Sequence, residues 1–398
     1  MKKIYVIGTG DTKERELHYV KSLIEAAGVP AVLVDISTRG SAKSADVTPR
    51  EVASHHDKGK GAVLGLDDRG SAVGAMSEAL CKFLATRDDI GGVIGLGGSG
   101  NTGMVTTGMR SLPIGLPKIM VSTLASGNVA PYVGPCDICM MYSVTDVAGI
   151  NSISRVVLGN AAHAIAGMVQ REVPSTVSDK KQIGLTMFGV TTPCVDQVRT
   201  ALERDYECLV FHATGIGGQS MEKLIDSGFL SGVIDVTTTE VADFLVGGIC
   251  PCTEDRFGAI ARTKVPYVAS VGALDMVNFW GKDTVPEKFR QRNLYMHNPQ
   301  VTLMRTTPEE NKRFGEWIAG RLNACEGPVR MLIPEKGVSA IDAEGKPFHD
   351  PTADRALFEA LAANLKQTAN RKLVRLPHHI NDKAFSDALA SAFREIAR

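Results

Sequence analysis

The chain has 398 residues, 44% hydrophobic and 22% charged, which excludes a disordered chain and leaves room for two or three domains with their own cores. Lys plus Arg equals Asp plus Glu at 44 each, so the basic excess expected of a nucleic-acid binder is missing. No apolar run approaches a membrane span, and the opening M-K-K-I-Y-V-I-G-T-G meets glycine directly after Ile7 with no small-residue cleavage site beyond, so the expected location is the cytoplasm.

Short β-branched runs alternate with longer amphipathic stretches, the pattern of parallel α/β layering. Ile4–Ile7 is predicted as a strand, Glu14–Ala27 as a helix ended by Gly28, and Ala31–Ile36 as the next strand. Gly70–Thr86 carries helical spacing; Val93–Leu96, Ile119–Ser122 and Ile138–Tyr142 read as strands, the last of them buried. Asn151–Val169 reads as a long helix with Ile153, Val156, Val157, Ala161 and Ile165 on one face. The polar stretch Gln170–Lys181, containing Pro174, Ser175 and Asp179, reads as a linker.

After the linker the scheme restarts. K-Q-I-G-L-T-M-F-G-V-T-T-P from Lys181 repeats the shape of K-K-I-Y-V-I-G-T-G-D-T-K from Lys2, and Cys208–His212 takes the place of Ala31–Ile36. The expected fold is therefore α/β, with two Rossmann-like lobes at residues 1–174 and 182–398, mainly parallel sheets, and a ligand cleft between the lobes. The second lobe continues with a loop at Thr214–Gln219, a helix to Asp226 and a strand at Val233–Val236. Thr237 and Glu240 then have capping-box spacing, which makes Glu240 a helix cap or, failing that, a pocket-lining acid. Beyond Val265–Val271 the pattern is less regular, with helices predicted at Glu309–Asn323, Thr352–Thr368 and Ala384–Ile396. Val338–Asp354 is loop-rich and acidic, and nothing in its pattern assigns it a role.

The richest chemistry lies between Ile90 and Thr107. A strand stops at Gly97, Gly98, Ser99 and Gly100, and a helix opens with Asn101 and Thr102. Glycines let successive backbone N–H groups turn toward one small volume, and the positive end of the helix completes an anion cradle, most naturally for phosphate. No Gly-Lys-Ser/Thr follows and the spacing is not a dinucleotide fingerprint; the other reading is a tight turn that holds nothing. Gly8, Thr9, Gly10, Asp11, Thr12 and Lys13 end the first strand of the same sheet. There Thr9 and Thr12 offer hydroxyls, Lys13 a positive charge, and Asp11 a ligand for Mg²⁺, unless Asp11 or Thr12 is simply the helix N-cap.

Two more loops follow strands of that sheet. Ser126, Gly127 and Asn128 supply small donors, and Asp146 either binds a ribose hydroxyl or metal or caps the long helix. His212, at a strand end before Gly217-Gly218, is placed for acid–base work, whereas His55-His56 and His378-His379 read as solvated. The eight cysteines read as free thiols, with Cys136-x-x-Cys139 and Cys250-Pro-Cys252 lacking partner pairs at zinc spacing. Neither a Gly-x-Ser-x-Gly elbow nor a His-Glu-x-x-His is present.

The phrases G-T-G-D-T-K at Gly8–Lys13, G-L-G-G-S-G-N-T at Gly95–Thr102, T-D-V-A-G-I-N at Thr145–Asn151 and V-G-A-L-D-M-V-N-F at Val271–Phe279 resemble the Tm-1-like ATP-binding domain family. These are uncharacterised bacterial and fungal proteins sharing an ATP-binding domain with a tomato protein that blocks tobamovirus RNA replication. The resemblance covers nearly the whole chain. It implies two Rossmann-like lobes, ATP and Mg²⁺ at the glycine loops, and homodimers; the plant protein's TIM-barrel-like part implies a separately encoded partner here. Gly8–Lys13 and Gly97–Thr102 match the family's phosphate phrases, and in the second lobe only Asp275 carries over. The expected function is an Mg-ATP-binding enzyme or enzyme subunit acting on a small molecule, with Asp275, Asp235 or His212 as candidate catalytic groups. The alternatives are a regulatory protein whose ATP-closed form recognises a partner, and, from the fold alone, a sugar-nucleotide epimerase or transferase.

Overall fold

Tyr5 and Ile7 face one side of the first strand while Ile4 and Val6 face the other, and all four are buried. A strand buried on both faces needs helices on both, and that is what the computed structural model has. It describes residues 2–171, 173 and 179–397. The chain forms two units, Met1–Ser175 and Thr176–Arg398.

The first unit runs β1 (Lys3–Gly8), α1 (Gly10–Ala26), β2 (Ala31–Asp35), α2 (Pro49–Ala53), α3 (Gly61–Leu64), α4 (Arg69–Ala85), β3 (Ile90–Gly97), α5 (Ser99–Arg110), β4 (Lys118–Ser122), α6 (Ala130–Val133), β5 (Cys139–Tyr142) and α7 (Ser152–Gln170). Its sheet is parallel in the order β2-β1-β3-β4-β5. Leu17, Val20 and Ile24 of α1 and Leu158, Ala161 and Ile165 of α7 cover Ile4 and Val6. On the other face Met76, Leu80 and Phe83 of α4 and Val105 and Met109 of α5 cover Tyr5 and Ile7. Burying each such aliphatic or aromatic side chain contributes roughly 1.5–3 kcal/mol. The order in which strands are added reverses between β1 and β3, with β2 to one side and β3, β4 and β5 to the other. Ligands of doubly wound sheets sit at the carboxyl ends of the strands flanking that switch.

Two expectations for this unit are corrected. Ile153 and Val156 are 46% and 58% exposed. The buried face of α7 is Ser154, Leu158, Ala161, Ala162 and Ile165, a better match to a 3.6-residue period than the apolar residues alone. The β5 strand is not buried: it lies at the sheet edge, and Cys139 and Tyr142 are exposed.

The second unit runs β6 (Lys181–Met187), α8 (Thr192–Leu202), β7 (Tyr206–His212), α9 (Ile216–Asp226), β8 (Val233–Thr237), α10 (Glu240–Val246), α11 (Gly258–Thr263), β9 (Tyr267–Gly272), β10 (Met276–Phe279), β11 (Leu294–Asn298), β12 (Val301–Arg305), α12 (Pro308–Asn323), β13 (Val329–Pro334), α13 (Pro351–Asn364), β14 (Arg371–Leu376) and α14 (Lys383–Ile396). Its main sheet, β14-β13-β9-β8-β6-β7, is again parallel, and β6, β7, β8, β9 and β13 repeat the strand order of the first unit. An antiparallel sheet, β10-β12-β11, had no counterpart in the predicted elements. The helix predicted to Thr368 stops at Asn364, and β13 and β14 are additional strands. All of β13 is buried, so it lacks the alternation that announces a strand. No helix among the described residues is long and apolar enough to cross a membrane.

Candidate functional site

The turn from β3 into α5 is made by Gly97, whose φ of +150° is disfavoured for residues with a side chain. Gly98 is the N-cap of α5, and no side chain caps the helix. The N–H groups of Ser99, Gly100 and Asn101 therefore meet no acceptor among the described residues, at the positive end of a twelve-residue helix. Asn101 is only 6% exposed. Its Nδ2 donates to the Leu96 carbonyl, and its buried Oδ1 has no partner among the described residues.

The first glycine loop is built differently. Asp35, at the end of β2, is wholly buried and accepts from the Gly10 N–H at 2.8 Å, the Ser37 N–H at 2.9 Å and the Ala42 N–H at 2.6 Å. The Asp11 N–H donates to Ser37 Oγ at 3.0 Å, and those of Thr12 and Lys13 return to the Thr9 carbonyl. These amides are taken, so the loop offers side chains rather than backbone. Thr9 is the N-cap of α1, not Asp11 or Thr12, which leaves both side chains uncommitted to capping.

Register brings the two loops together: on β1, Gly8 lies opposite Asp35 and Ile7 opposite Gly95. Between them is a cleft of about 460 Å³ lined by Thr9, Asp11, Thr12, Lys13, Gly98, Ser99, Gly100, Asn101 and Asp146. Thr38, Arg39 and Arg69 join them. Arg39 donates to the Asp67 carbonyl at 2.8 Å, whereas the side chains of Lys13 and Arg69 have no partner among the described residues. A Cβ on Gly100 would stand 3.8 Å from Arg69 Nη2, so that guanidinium overhangs the open end of α5. Three cations and two carboxylates thus surround a row of free amides, an arrangement that can hold a polyanion and one hard cation. Among the described residues no cluster of three or more His, Cys, Asp or Glu could hold a metal by itself.

Other predicted residues lie outside this cleft. Gly8 and Gly10 pack against Leu17 and Asp35, and Gly97 forms the turn beneath. Thr102 is buried, donating to the Gly98 carbonyl at 2.8 Å with its Oγ1 2.7 Å from Ser122 Oγ. Ser126, Gly127 and Asn128 are exposed on the loop after β4 and do not join the lining. Asp146 does not cap α7; Asn151 and Ser154 form that capping box. Arg39 and Arg69 carry no local motif and were missed. The one available signal for Arg39 was its place just past the strand beside β1.

In the second unit the candidate acids turn inward. Glu240 opens α10 rather than serving as its third residue, so the predicted capping box is absent. Its Oε1 accepts from the N–H groups of Gly215 at 2.7 Å and Gly218 at 3.0 Å, which makes it an anion built into the N-terminus of α9. Arg256 then joins three buried carboxylates: Glu240 at 3.1 Å, Asp235 at 2.6 Å and Glu222 at 3.3 Å. Burial pushes the Glu222 carboxyl up to about 7 and that of Glu240 upward, against the pull of Arg256. Asp235 also accepts from Thr186 and Tyr267, so this candidate orienter of an acceptor is fully engaged in the core.

Asp275 is likewise wholly buried, accepting from Ser339 Oγ at 2.7 Å. Burial, then the charge of Asp342, pushes it up to about 7. Arg305 pairs with neighbouring Asp354 at 2.7 Å. This gives the acidic Val338–Asp354 segment a structural role: it folds its carboxylates around Arg305. His212 is exposed and lines a separate cavity, its ring stacked on Phe188. All eight cysteines are free, as expected.

Two domain descriptions match this chain: Uncharacterised protein family (UPF0261) N-terminal domain over residues 2–174 and its C-terminal domain over residues 180–397. A UPF0261 protein of Rhizobium meliloti is 59% identical over 397 residues, with 100% of each chain covered. The ToMV resistance protein Tm-1(GCR237) of Solanum lycopersicum is 45% identical over 420 residues, covering 99% of this chain and 56% of that one. Among solved structures, the UDP-N-acetylglucosamine 2-epimerase of Rickettsia bellii aligns with 100% of this chain and 95% of its own at 10% identity. Its TM-score of 0.24 is too low to carry an argument.

Proposed function

This chain belongs to the uncharacterised UPF0261 family, which is related to the tomato Tm-1 protein, and from the geometry of its first unit we propose that it binds Mg-ATP in the cleft between the β1 and β3 loops. The observation that carries this proposal is the open N-terminus of α5, with unpaired amides facing Lys13, Arg39 and Arg69. In this proposal phosphate oxygens accept from the Ser99, Gly100 and Asn101 N–H groups, while Lys13 and Arg69 neutralise charge. Asp11 and Asp146 would hold Mg²⁺, which takes one or two carboxylates and completes its shell with phosphate and water. A cleft of about 460 Å³ suits a ligand of nucleotide size.

The same groups support a use for the nucleotide. Amides and cations stabilise charge that develops on a transferring phosphoryl or nucleotidyl group, so we assign an ATP-using enzyme or enzyme subunit acting on a small acceptor. One observation favours the second reading, an ATP-dependent binding protein: Asp235 and Asp275, the acids expected to orient an acceptor, are wholly buried.

Calorimetric titration with ATP, with and without Mg²⁺, followed by mass analysis of the recovered nucleotide, separates these outcomes. Magnesium-dependent binding that returns ADP or AMP identifies the bond broken, and intact ATP supports the binding protein. Gly98→Val tests the cradle itself. Gly98 has an ordinary φ of −85°, and a Cβ there meets only Thr123 Oγ1 at 3.8 Å, so the variant folds while its side chain crowds the phosphates. Unchanged affinity in Gly98→Val would remove the cradle from the proposal. Asp11→Asn is expected to weaken the magnesium dependence more than the affinity for metal-free nucleotide.

A further inference from the structure

The second unit holds a cavity of about 520 Å³ whose lining shares no residue with the proposed nucleotide site. It opens at the carboxyl ends of β6 and β7. There the rings of Phe188 and His212 stack with centroids 5.3 Å apart and planes 13° from parallel. Trp280, just after β10, lines the same cavity and is 56% exposed. Ile249 and Val301 supply aliphatic wall. The lining carries His212, His297 and Cys250 but no Asp, Glu, Lys or Arg among the described residues, so a phosphate or a carboxylate would find no fixed opposite charge. No group of three or more His, Cys, Asp or Glu among those residues could hold a metal ion. The surfaces on offer are flat, apolar and aromatic, and favour a planar ring.

Of the polar side chains in the lining, one is buried and gives the cavity a direction. Asn278 on β10 lines it and is 1% exposed. Its N–H donates to Asp243 Oδ1 at 2.7 Å, its Nδ2 donates to Asp243 Oδ2 at 3.1 Å, and its carbonyl accepts from the Ile249 N–H at 3.0 Å. An ionised carboxylate only accepts, so Nδ2 is the amide atom that turns to Asp243 and Oδ1 is the one left over. Asn278 Oδ1 is buried, with less than 1 Å² open to water, and has no partner among the described residues, so a ligand's donor reaches it only when the wall around it shifts. A buried acceptor without a donor is costly, and a ligand's N–H or O–H would relieve that cost.

We propose that this cavity is a second ligand site, which takes a neutral planar ring carrying one N–H or O–H donor, as in a phenol or an indole. The ring lies against Trp280 and the Phe188–His212 stack, and the donor meets Asn278 Oδ1. The site stands independently of the nucleotide reading of the first unit.

Ligand-observed saturation-transfer NMR on the full chain tests it, with phenol against anisole and indole against N-methylindole. The measurement is made at pH 8, where the Asp243 carboxyl, pushed up to about 7 by burial, is mostly ionised. Phenol and indole are expected to bind saturably, and their methylated counterparts about tenfold more weakly, the share of one good hydrogen bond. Asn278→Leu is expected to bring each pair to equal affinity. Should that variant not fold, the ligand pairs on the unaltered chain still decide, as does Trp280→Ala, which removes an exposed side chain and is expected to weaken all four ligands about tenfold. The proposal is overturned by absence of binding, by equal affinity within each pair on the unaltered chain, by full binding to Trp280→Ala, or by displacement of the ring by ATP.

Discussion

The N-termini of α5 and α9 pose the same electrostatic problem in the two units. Each follows a glycine-bearing turn after a parallel strand, and each begins with backbone donors that its own helix leaves unpaired. At α9 the chain supplies the anion: Glu240 takes the Gly215 and Gly218 amides, and Arg256 balances its charge. At α5 no acid among the described residues accepts from the amides: Asp11 and Asp146 share the cleft without bonding to them, and Lys13, Arg39 and Arg69 outnumber those acids there. The first turn of α1 follows the closed pattern, with Asp35 in the place of Glu240. A glycine loop is therefore only a set of donors. Whether it is a ligand site depends on the sign of the side chain that reaches it from elsewhere in the fold.

The largest expected effect breaks the closed loop at its cation. Arg256→Met leaves Glu240, Asp235 and Glu222 buried without their shared partner, and a loss of about 3–5 kcal/mol is expected in denaturant unfolding. Both tryptophans, Trp280 and Trp317, belong to the second unit, so indole emission follows that unit alone. A change below about 1 kcal/mol would mean the network is not what holds the loop closed.

Glu240→Ala opens α9 and turns it into the counterpart of α5. A loss of about 2–3 kcal/mol is expected from the freed amides and the unbalanced Arg256. Added sulfate should restore part of it, because the anion then binds only the folded variant. If sulfate stabilises the parent and the variant alike, the comparison between the loops fails.

Raising the pH from 6 to 9 should separate the units by a smaller amount. The folded carboxyls of Glu222 and Asp243 are raised to about 7 and that of Asp354 to about 8, above ordinary values of 4.5 and 3.8. The folded unit therefore holds more protons than the unfolded chain in that range. The stabilisation is complete below about pH 4 and is lost as the pH rises through 7 to 8. A decline on the order of 2 kcal/mol is expected in emission-monitored unfolding. In the first unit Asp46, Asp89 and Asp137 are lowered instead, by their hydrogen bonds and nearby lysines, so their contribution is lost only in acid.

The smallest effect lies at the open loop. Lys13→Met and Arg69→Met are each expected to reduce ATP affinity about tenfold, about 1.4 kcal/mol, by calorimetry. Stability should stay within about 0.5 kcal/mol, since neither side chain has a protein partner among the described residues. Undiminished affinity in both variants would separate the cations from the phosphates.

Much of the first unit was legible from local pattern. The strands β1, β2, β3 and β4 and the helices α1, α4 and α7 announce themselves through periods of two or 3.6 residues and through their end residues. Thr9, Asp11, Lys13 and Ser99 were legible because loops after the strands of a parallel sheet share one edge. Arg39 and Arg69 were not, because only the strand order carries the segments after β2 and before β3 to that edge. Glu240 was misread for a related reason: its spacing to Thr237 is a local signal, while the amides it serves lie on another helix.

The sequence by itself determined the parallel α/β class, the repeat of one scheme in two halves, and the positions of the glycine turns, because backbone freedom and side-chain period are properties of neighbours along the chain. Only the tertiary structure decided which helix end stayed open. It also decided that Asp235 and Asp275 are core acids and that Asn278, which lines a cavity, keeps a buried oxygen without a partner among the described residues. A buried charge or donor is settled by whichever group packs against it, and in this chain those groups lie far away in sequence.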